Sequence, residues 1–120
     1  MNEYRRLDVS EIGDVTVVRF RDPKIIEDLN IQELGSEMFR LVEVEDRRKL
    51  LLNFSTVDFL SSAALGKLIT LNKKIQATGG RLVLCSISPE IYEVFKITQL
   101  NKFFEIEKDD LSALRQVGAG

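Results

Sequence analysis

The chain has 120 residues, which fits one domain, and its 44% apolar and 30% charged residues are ordinary for a globular protein. Its formal net charge of -2 gives no reason to expect nucleic acid or an anionic membrane as a partner. The absence of histidine excludes Ser-His and Cys-His nucleophile systems and the usual zinc sites.

The remaining absences narrow the class of protein further. No apolar run has the length of a membrane span or the pattern of a signal peptide, and no phosphate-binding loop or dinucleotide fingerprint is present. Cys85 is the single cysteine, which excludes an internal disulfide and fits a reducing compartment. We therefore expect a cytoplasmic, single-domain protein over residues 1–120 that holds no metal or cofactor and is not an enzyme.

The first predicted elements are two strands. Residues 4–10 and 15–20 have strand-like composition, and the second is dense in β-branched residues. The turn-rich residues 11–14 between them are too few for a crossover, which predicts an antiparallel hairpin.

A helix is predicted next, over residues 31–44. Asn30 with Glu33 three residues later resembles a capping box that would start it. Its apolar residues recur at helical spacing on one stripe: Ile31, Leu34, Met38, Leu41 and Val42. The continuous apolar run at residues 49–54 then predicts a strand that is covered on both faces.

The second half of the chain repeats the strand and helix pattern. A helix is predicted over residues 62–77, because an apolar stripe starts near Ser61-Ser62 and Gly79-Gly80 is a stop signal. Residues 81–85 read as a buried strand. Ser88 and Pro89 then offer an N-cap and a first helical residue.

The predicted short helix after Ser88 would point Ile91, Val94 and Phe95 inward. Residues 103–106 are a predicted final strand. Asp109 and Asp110 would cap a last helix, which carries Leu111, Leu114 and Val117.

This element order predicts an α/β fold. We expect a four- to five-stranded, mostly parallel sheet with an N-terminal antiparallel hairpin strand and about four helices. The helices at residues 31–44 and 62–77 should pack on the same face, because each has one apolar stripe and the strands at 49–54 and 81–85 offer the surface.

The stretch LLLNFSTVDFLSSAALGKLITLNKKIQATGGRLVLCSISPEIYEVFKITQLNKFFEI resembles the STAS domain of anti-sigma factor antagonists. That family has an apolar strand, a loop ending near V-x-F-[ILM]-D-S-[ST]-G-L-G, an amphipathic helix, a G-G turn, a second apolar strand and a serine-proline-like helix start. The predicted element order extends the resemblance to nearly the whole chain. The resemblance implies a STAS-like fold and a protein that works by binding partners.

The family's phosphoacceptor is the serine directly after the aspartate, which the resemblance places on Ser62. The aspartate itself falls on Ser61, which is an alternative acceptor, and the next two family residues fall on Ala63 and Ala64. The implied partner is an anti-sigma factor serine kinase, bound when the serine is unphosphorylated and released when it is phosphorylated.

The predicted partner surface combines residues 23–30, the loop at residues 55–60 and the start of the second helix, since open α/β sheets present sites at the carboxyl ends of their strands. The residues assigned to it are Glu27, Asp28, Asn30, Asp58, Phe59, Ser61, Ser62 and Ala63.

Three alternatives stay open. Ser61 or Ser62 can be a plain N-cap, which is compatible with modification. The departures from the family pattern at Ser61, Ala63 and Ala64 are also compatible with a STAS scaffold that is never phosphorylated. The loop before the second helix is compatible with a ligand-sensing module, because its backbone N–H groups could hold a phosphate. A receiver-like phosphoaspartate at Asp58 is disfavoured, because residues 11–14 leave no room for the helix that a receiver needs there.

Overall fold

The computed structural model describes residues 4–119 and confirms the α/β prediction. The strands are β1 (Leu7–Ile12), β2 (Val15–Phe20), β3 (Lys24–Ile25), β4 (Lys49–Asn53), β5 (Phe59–Leu60), β6 (Arg81–Cys85) and β7 (Glu105–Glu107). The helices are α1 (Asp28–Glu43), α2 (Ser62–Ala77), α3 (Pro89–Ile97), α4 (Leu100–Phe103) and α5 (Asp110–Ala119).

The main sheet has five strands in the order β1-β2-β4-β6-β7. β1 and β2 are antiparallel and the other neighbouring pairs are parallel, as the sequence predicts. Ile12 pairs directly with Val15, so only Gly13 and Asp14 form the turn, and Gly13 has a φ of 62°. The predicted turn at residues 11–14 is therefore too long, because β1 continues to Ile12.

The two faces of the sheet carry different helices. Leu50 and Leu52 of β4 belong to the larger core cluster together with buried residues of α1, α2 and α3. Leu51, which points the other way along the same strand, packs in a smaller cluster with Ala113 and Val117 of α5. The prediction that the first two long helices share a face is confirmed.

A small second sheet joins β3 to β5 in parallel and was not predicted. The carbonyl of Pro23 accepts hydrogen bonds from Asp58 N at 2.7 Å and Phe59 N at 3.2 Å. Ser61 N donates to the carbonyl of Ile25 at 3.0 Å. These bonds attach the segment before α2 to the segment before α1.

The predicted capping box at Asn30 and Glu33 is wrong. α1 begins at Asp28, and its N-cap, Glu27, makes no side-chain capping bond. Ile31 N already donates to Glu27 O at 2.9 Å, so Asn30 lies inside the first turn. Glu33 instead accepts from Arg6 Nε at 2.8 Å.

Two apolar residues, Val94 and Phe103, depart from the prediction. Val94, which is predicted to point inward, is 38% exposed. In a short helix only one narrow stripe meets the sheet, and in α3 that stripe is Ile91 and Phe95, four residues apart. Phe103 ends α4 and does not start the last strand.

Candidate functional site

The two adjacent serines at the start of α2 have different environments. Ser61 is the N-cap, and its Oγ accepts a hydrogen bond from Ala64 N at 3.3 Å. Ser62 is the first helical residue and is exposed, and its hydroxyl makes no hydrogen bond with residues 4–119. The fold thus uses the hydroxyl of Ser61 and leaves that of Ser62 open to solvent.

The loop between β4 and α2 is held at both ends. Asn53, which is buried at the end of β4, accepts from Ser55 N through Oδ1 at 2.9 Å. Val57 N donates to Phe54 O at 2.9 Å, and the side chains of Val57 and Leu60 are buried. Because β5 is also paired with β3, Ser62 stands on a fixed segment of backbone.

The predicted contact residues lie on neighbouring elements at the end of the sheet where β2 and β4 finish. Six are exposed and two, Asn30 and Ser61, are half-buried. The exposed residues are Glu27, Asp28, Asp58, Phe59, Ser62 and Ala63. The β3–β5 pairing brings the segment that carries Glu27 and Asp28 beside the segment that carries Asp58 and Phe59.

An apolar groove that sequence reasoning missed adjoins these residues. It has a volume of about 140 Å³ and lies between β5 and α3, where Phe59, Ile91 and Val94 line it. The ring of Phe59 is 51% exposed beside it. The sequence predicts that Val94 points inward. Its position outside the stripe of Ile91 and Phe95 is the one sequence signal for a surface position.

The carboxylates at this end differ from those elsewhere in the fold. We call Glu27, Asp28, Asp58 and Glu90 the acidic rim; none of them forms an ion pair within residues 4–119. Most other carboxylates do form ion pairs: Asp8, Glu11, Asp14, Asp22, Glu33, Glu43, Glu45, Asp46, Glu93, Glu105 and Asp110. In the surface segments around the rim, Lys24 is the only cationic residue. The rim therefore carries four carboxylates beside the single positive charge of Lys24, and its net charge is negative.

Cys85 is fully buried at the end of β6, and burial raises the pKa of its thiol. Within residues 4–119 there is no cluster of three or more metal-ligating side chains of the His, Cys, Asp and Glu types. In the same part of the chain, no helix is long and apolar enough to cross a bilayer.

A family model for the STAS domain matches residues 6–113. This chain belongs to the STAS domain family. A curated relative from Bordetella bronchiseptica, BtrV, is 29% identical over 82 residues, covering 68% of this chain and 70% of BtrV. Its name describes it as a candidate anti-sigma factor antagonist.

Solved structures share the fold of this STAS domain. A candidate anti-sigma factor antagonist from Thermotoga maritima matches with a TM-score of 0.83 and 21% identity, covering 93% of this chain and 94% of that one. The anti-sigma factor antagonist SpoIIAA in its unphosphorylated form matches with a TM-score of 0.71 and 15% identity, covering 95% and 98%. The phosphorylated form of SpoIIAA, from Bacillus, has a TM-score of 0.70 at 16% identity, covering 92% and 98%. BtrV and the structures from Thermotoga maritima and Bacillus are thus relatives and structural neighbours whose names describe them as anti-sigma factor antagonists.

Proposed function

We propose that this STAS domain is a partner-switching anti-sigma factor antagonist whose acceptor is Ser62. Unphosphorylated, it binds an anti-sigma factor serine kinase; phosphorylated, it releases that kinase. The observation that carries the proposal is the free hydroxyl of Ser62, which lies on a fixed helix start next to a serine whose hydroxyl is already used.

The relatives support the same role. BtrV is named a candidate anti-sigma factor antagonist, and SpoIIAA has been solved with and without phosphate. Transfer to Ser62 needs only that its oxygen attack the γ-phosphorus of ATP in the kinase while the bond to ADP breaks. The hydroxyl proton passes to a base of the kinase. Nothing in this chain has to do the chemistry.

The chemistry of the surface indicates what the partner presents. The exposed ring of Phe59 and the groove beside Val94 offer apolar area, and the acidic rim surrounds it. Apolar centres with charged margins are the usual arrangement of protein interfaces. We therefore expect the kinase to contribute an apolar patch flanked by lysine or arginine residues, which would speed association and weaken it at high salt.

The proposal is tested by incubating the wild type, Ser62→Ala, Ser61→Ala and Ser62→Asp with a candidate anti-sigma factor kinase and ATP, then mapping phosphate by mass spectrometry. We expect phosphate on Ser62 in the wild type and in Ser61→Ala. Ser62→Ala should bind the kinase and stay bound in ATP, whereas Ser62→Asp should bind at least about a hundredfold more weakly, a loss of roughly 3 kcal/mol. Phosphate on Ser61, or equal binding by the two Ser62 variants, would contradict the assignment.

The surface has its own test. Asp28→Lys should weaken kinase binding, because it replaces a rim carboxylate with a positive charge, the sign that we expect on the kinase surface. Lys74→Glu is the control, since Lys74 lies near the far end of α2, where it pairs with Glu43. A larger effect at Lys74 would exclude the acidic rim as the contact surface.

A second candidate, a STAS scaffold that is never phosphorylated, is favoured by one observation: Ser61 stands where the family pattern has aspartate. It predicts stable kinase binding with no phosphate on either serine. The phosphate mapping described above separates the two candidates.

A further inference from the structure

A second, larger cleft lies at the opposite end of the domain from Ser62. It has a volume of about 510 Å³ and opens where β4 and β6 begin, beside the C-terminal half of α2. Asn72 and Gln76 of α2 line it, as do Leu82 of β6 and Phe103 of α4. Its volume is in the range of small-molecule sites.

Asn72 is the feature that marks this cleft. The residue is only 3% exposed, yet its side-chain amide makes no hydrogen bond with residues 4–119. Buried amides normally have partners, as Asn53 does with Ser55. Neither amide atom of Asn72 is fully enclosed, since Arg47 Nε is the one enclosed side-chain polar atom without a partner in the described residues. The amide therefore keeps a small accessible area, and Asn72 lines the cleft.

The charged residues of the cleft are already paired. Arg81 donates to Glu105 at 2.7 Å and to Gln116 O at 2.9 Å. Lys49 lies 3.0 Å from Asp14, and Arg48 lies 3.3 Å from Asp46. Because each cation has its own carboxylate, the unused recognition capacity of the cleft is neutral: an amide donor and acceptor, and an aromatic ring.

We propose that this cleft binds a small, uncharged, planar molecule whose edge carries adjacent hydrogen-bond donor and acceptor atoms, such as a carboxamide or a heteroaromatic base. An asparagine amide matches that edge with two hydrogen bonds, one given and one received. The ring of Phe103, which is partly exposed, would contact the flat face. Leu82 supplies an apolar wall.

The site is separate from the proposed partner surface. Asn72 lies ten residues after Ser62, which is about 15 Å along the helix axis. No residue of the acidic rim lines the cleft. The proposal of ligand binding and the proposal of partner switching can therefore be tested independently.

The test is an NMR titration of the ¹⁵N-labelled protein with nicotinamide and with adenine, following the side-chain amide signals of Asn72. Nicotinate is the matched control, because it keeps the ring but replaces the amide with a charged carboxylate. We expect saturable shifts with at least one neutral probe, and at least about tenfold weaker binding in Asn72→Leu. Lys73→Leu, on the outer face of the same helix, should bind normally.

Phe103→Ala is the second variant, since Phe103 is partly exposed and its replacement keeps the test valid if Asn72→Leu does not fold. It should also weaken binding of the neutral probe. The proposal is overturned if neither neutral probe shifts the Asn72 signals up to its solubility limit. Binding of nicotinate that matches nicotinamide, or undiminished binding in Asn72→Leu, would overturn it as well.

Discussion

The hydrogen bond from Ala64 N to Ser61 predicts that the two adjacent serines contribute unequally to stability. Ser61→Ala removes the cap of α2 and leaves an N–H without its partner, which costs about 1 kcal/mol. Ser62→Ala removes a hydroxyl that has no partner in the described residues and adds a good helix former. Its effect should stay within about 0.5 kcal/mol of zero.

These free energies convert to melting temperatures. At roughly 2.1 cal/mol/K per residue, the 120-residue chain has an unfolding entropy of about 0.25 kcal/mol/K. A loss of 1 kcal/mol therefore lowers the melting temperature by about 4 °C. We expect that drop for Ser61→Ala and a change of no more than about 2 °C for Ser62→Ala.

Urea and thermal unfolding, both followed by circular dichroism, measure the difference. Ser61→Asp is the matched control, because aspartate is an equally good N-cap and should restore the wild-type value. Equal losses in the two alanine variants, or a larger loss in Ser62→Ala, would refute the division of roles between the serines.

Three further predictions follow from burial and charge. Burial and the nearby Glu45 carboxylate raise the pKa of Tyr4 to about 12, above the usual 10. The neutral hydroxyl of Tyr4 therefore stabilises the fold below pH 10, and that contribution is lost as the pH rises towards 12. In urea unfolding, the wild type should therefore lose more stability over this window than Tyr4→Phe, and parallel curves would contradict this. Cys85 should react with a thiol reagent only after unfolding, because it is fully buried and burial raises its pKa; rapid reaction of the native protein would count against it. Phe59→Ala should leave stability within about 1 kcal/mol of the wild type but weaken kinase binding by about tenfold or more, and unchanged affinity would move the interface elsewhere.

The parts of the fold that follow from local chemistry were predictable. The strands β4 and β6 are apolar between a charged first residue and their last residue, and Ser88 with Pro89 starts α3 as expected. The start of α2 was predicted because Ser61 is a strong cap and because an apolar stripe follows it. Caps and periodicity act over a few residues, so the sequence carries them directly.

The features that depend on distant residues were not predictable. β3 and β5 have two residues each, which is too short for a strand pattern in the sequence, and their pairing depends on the tertiary fold. The predicted capping box at Asn30 was also wrong, because α1 starts at Asp28, soon after β3 ends. The acidic rim also required the structure, since Glu90 joins it through the position of α3.

The ranking of the two serines shows how the structure sharpens the candidate site. In the sequence, both Ser61 and Ser62 can cap a helix or accept phosphate, and only the family resemblance favours Ser62 as the acceptor. One hydrogen bond separates them, because it shows which hydroxyl the helix uses. Phosphate on Ser61 would disturb the bond from Ala64 N, whereas phosphate on Ser62 would disturb no hydrogen bond of the described residues, and this supports the proposal of Ser62 as the acceptor.

We expect a phosphate on Ser62, the first residue of α2, to end kinase binding without unfolding the domain. Phosphate there meets unpaired N–H groups and the positive end of the helix dipole, a gain of roughly 0.3–1 kcal/mol. It also adds about -1.5 to -2 charges at the point where the kinase must bring the phosphates of its nucleotide. A kinase surface fitted to a small neutral hydroxyl has no donors placed for three phosphate oxygens, and a charge left unpaired in an interface costs several kcal/mol. On this proposal the acidic rim is the same in both states, so we expect it to attract the partner equally and the difference in affinity to arise at Ser62.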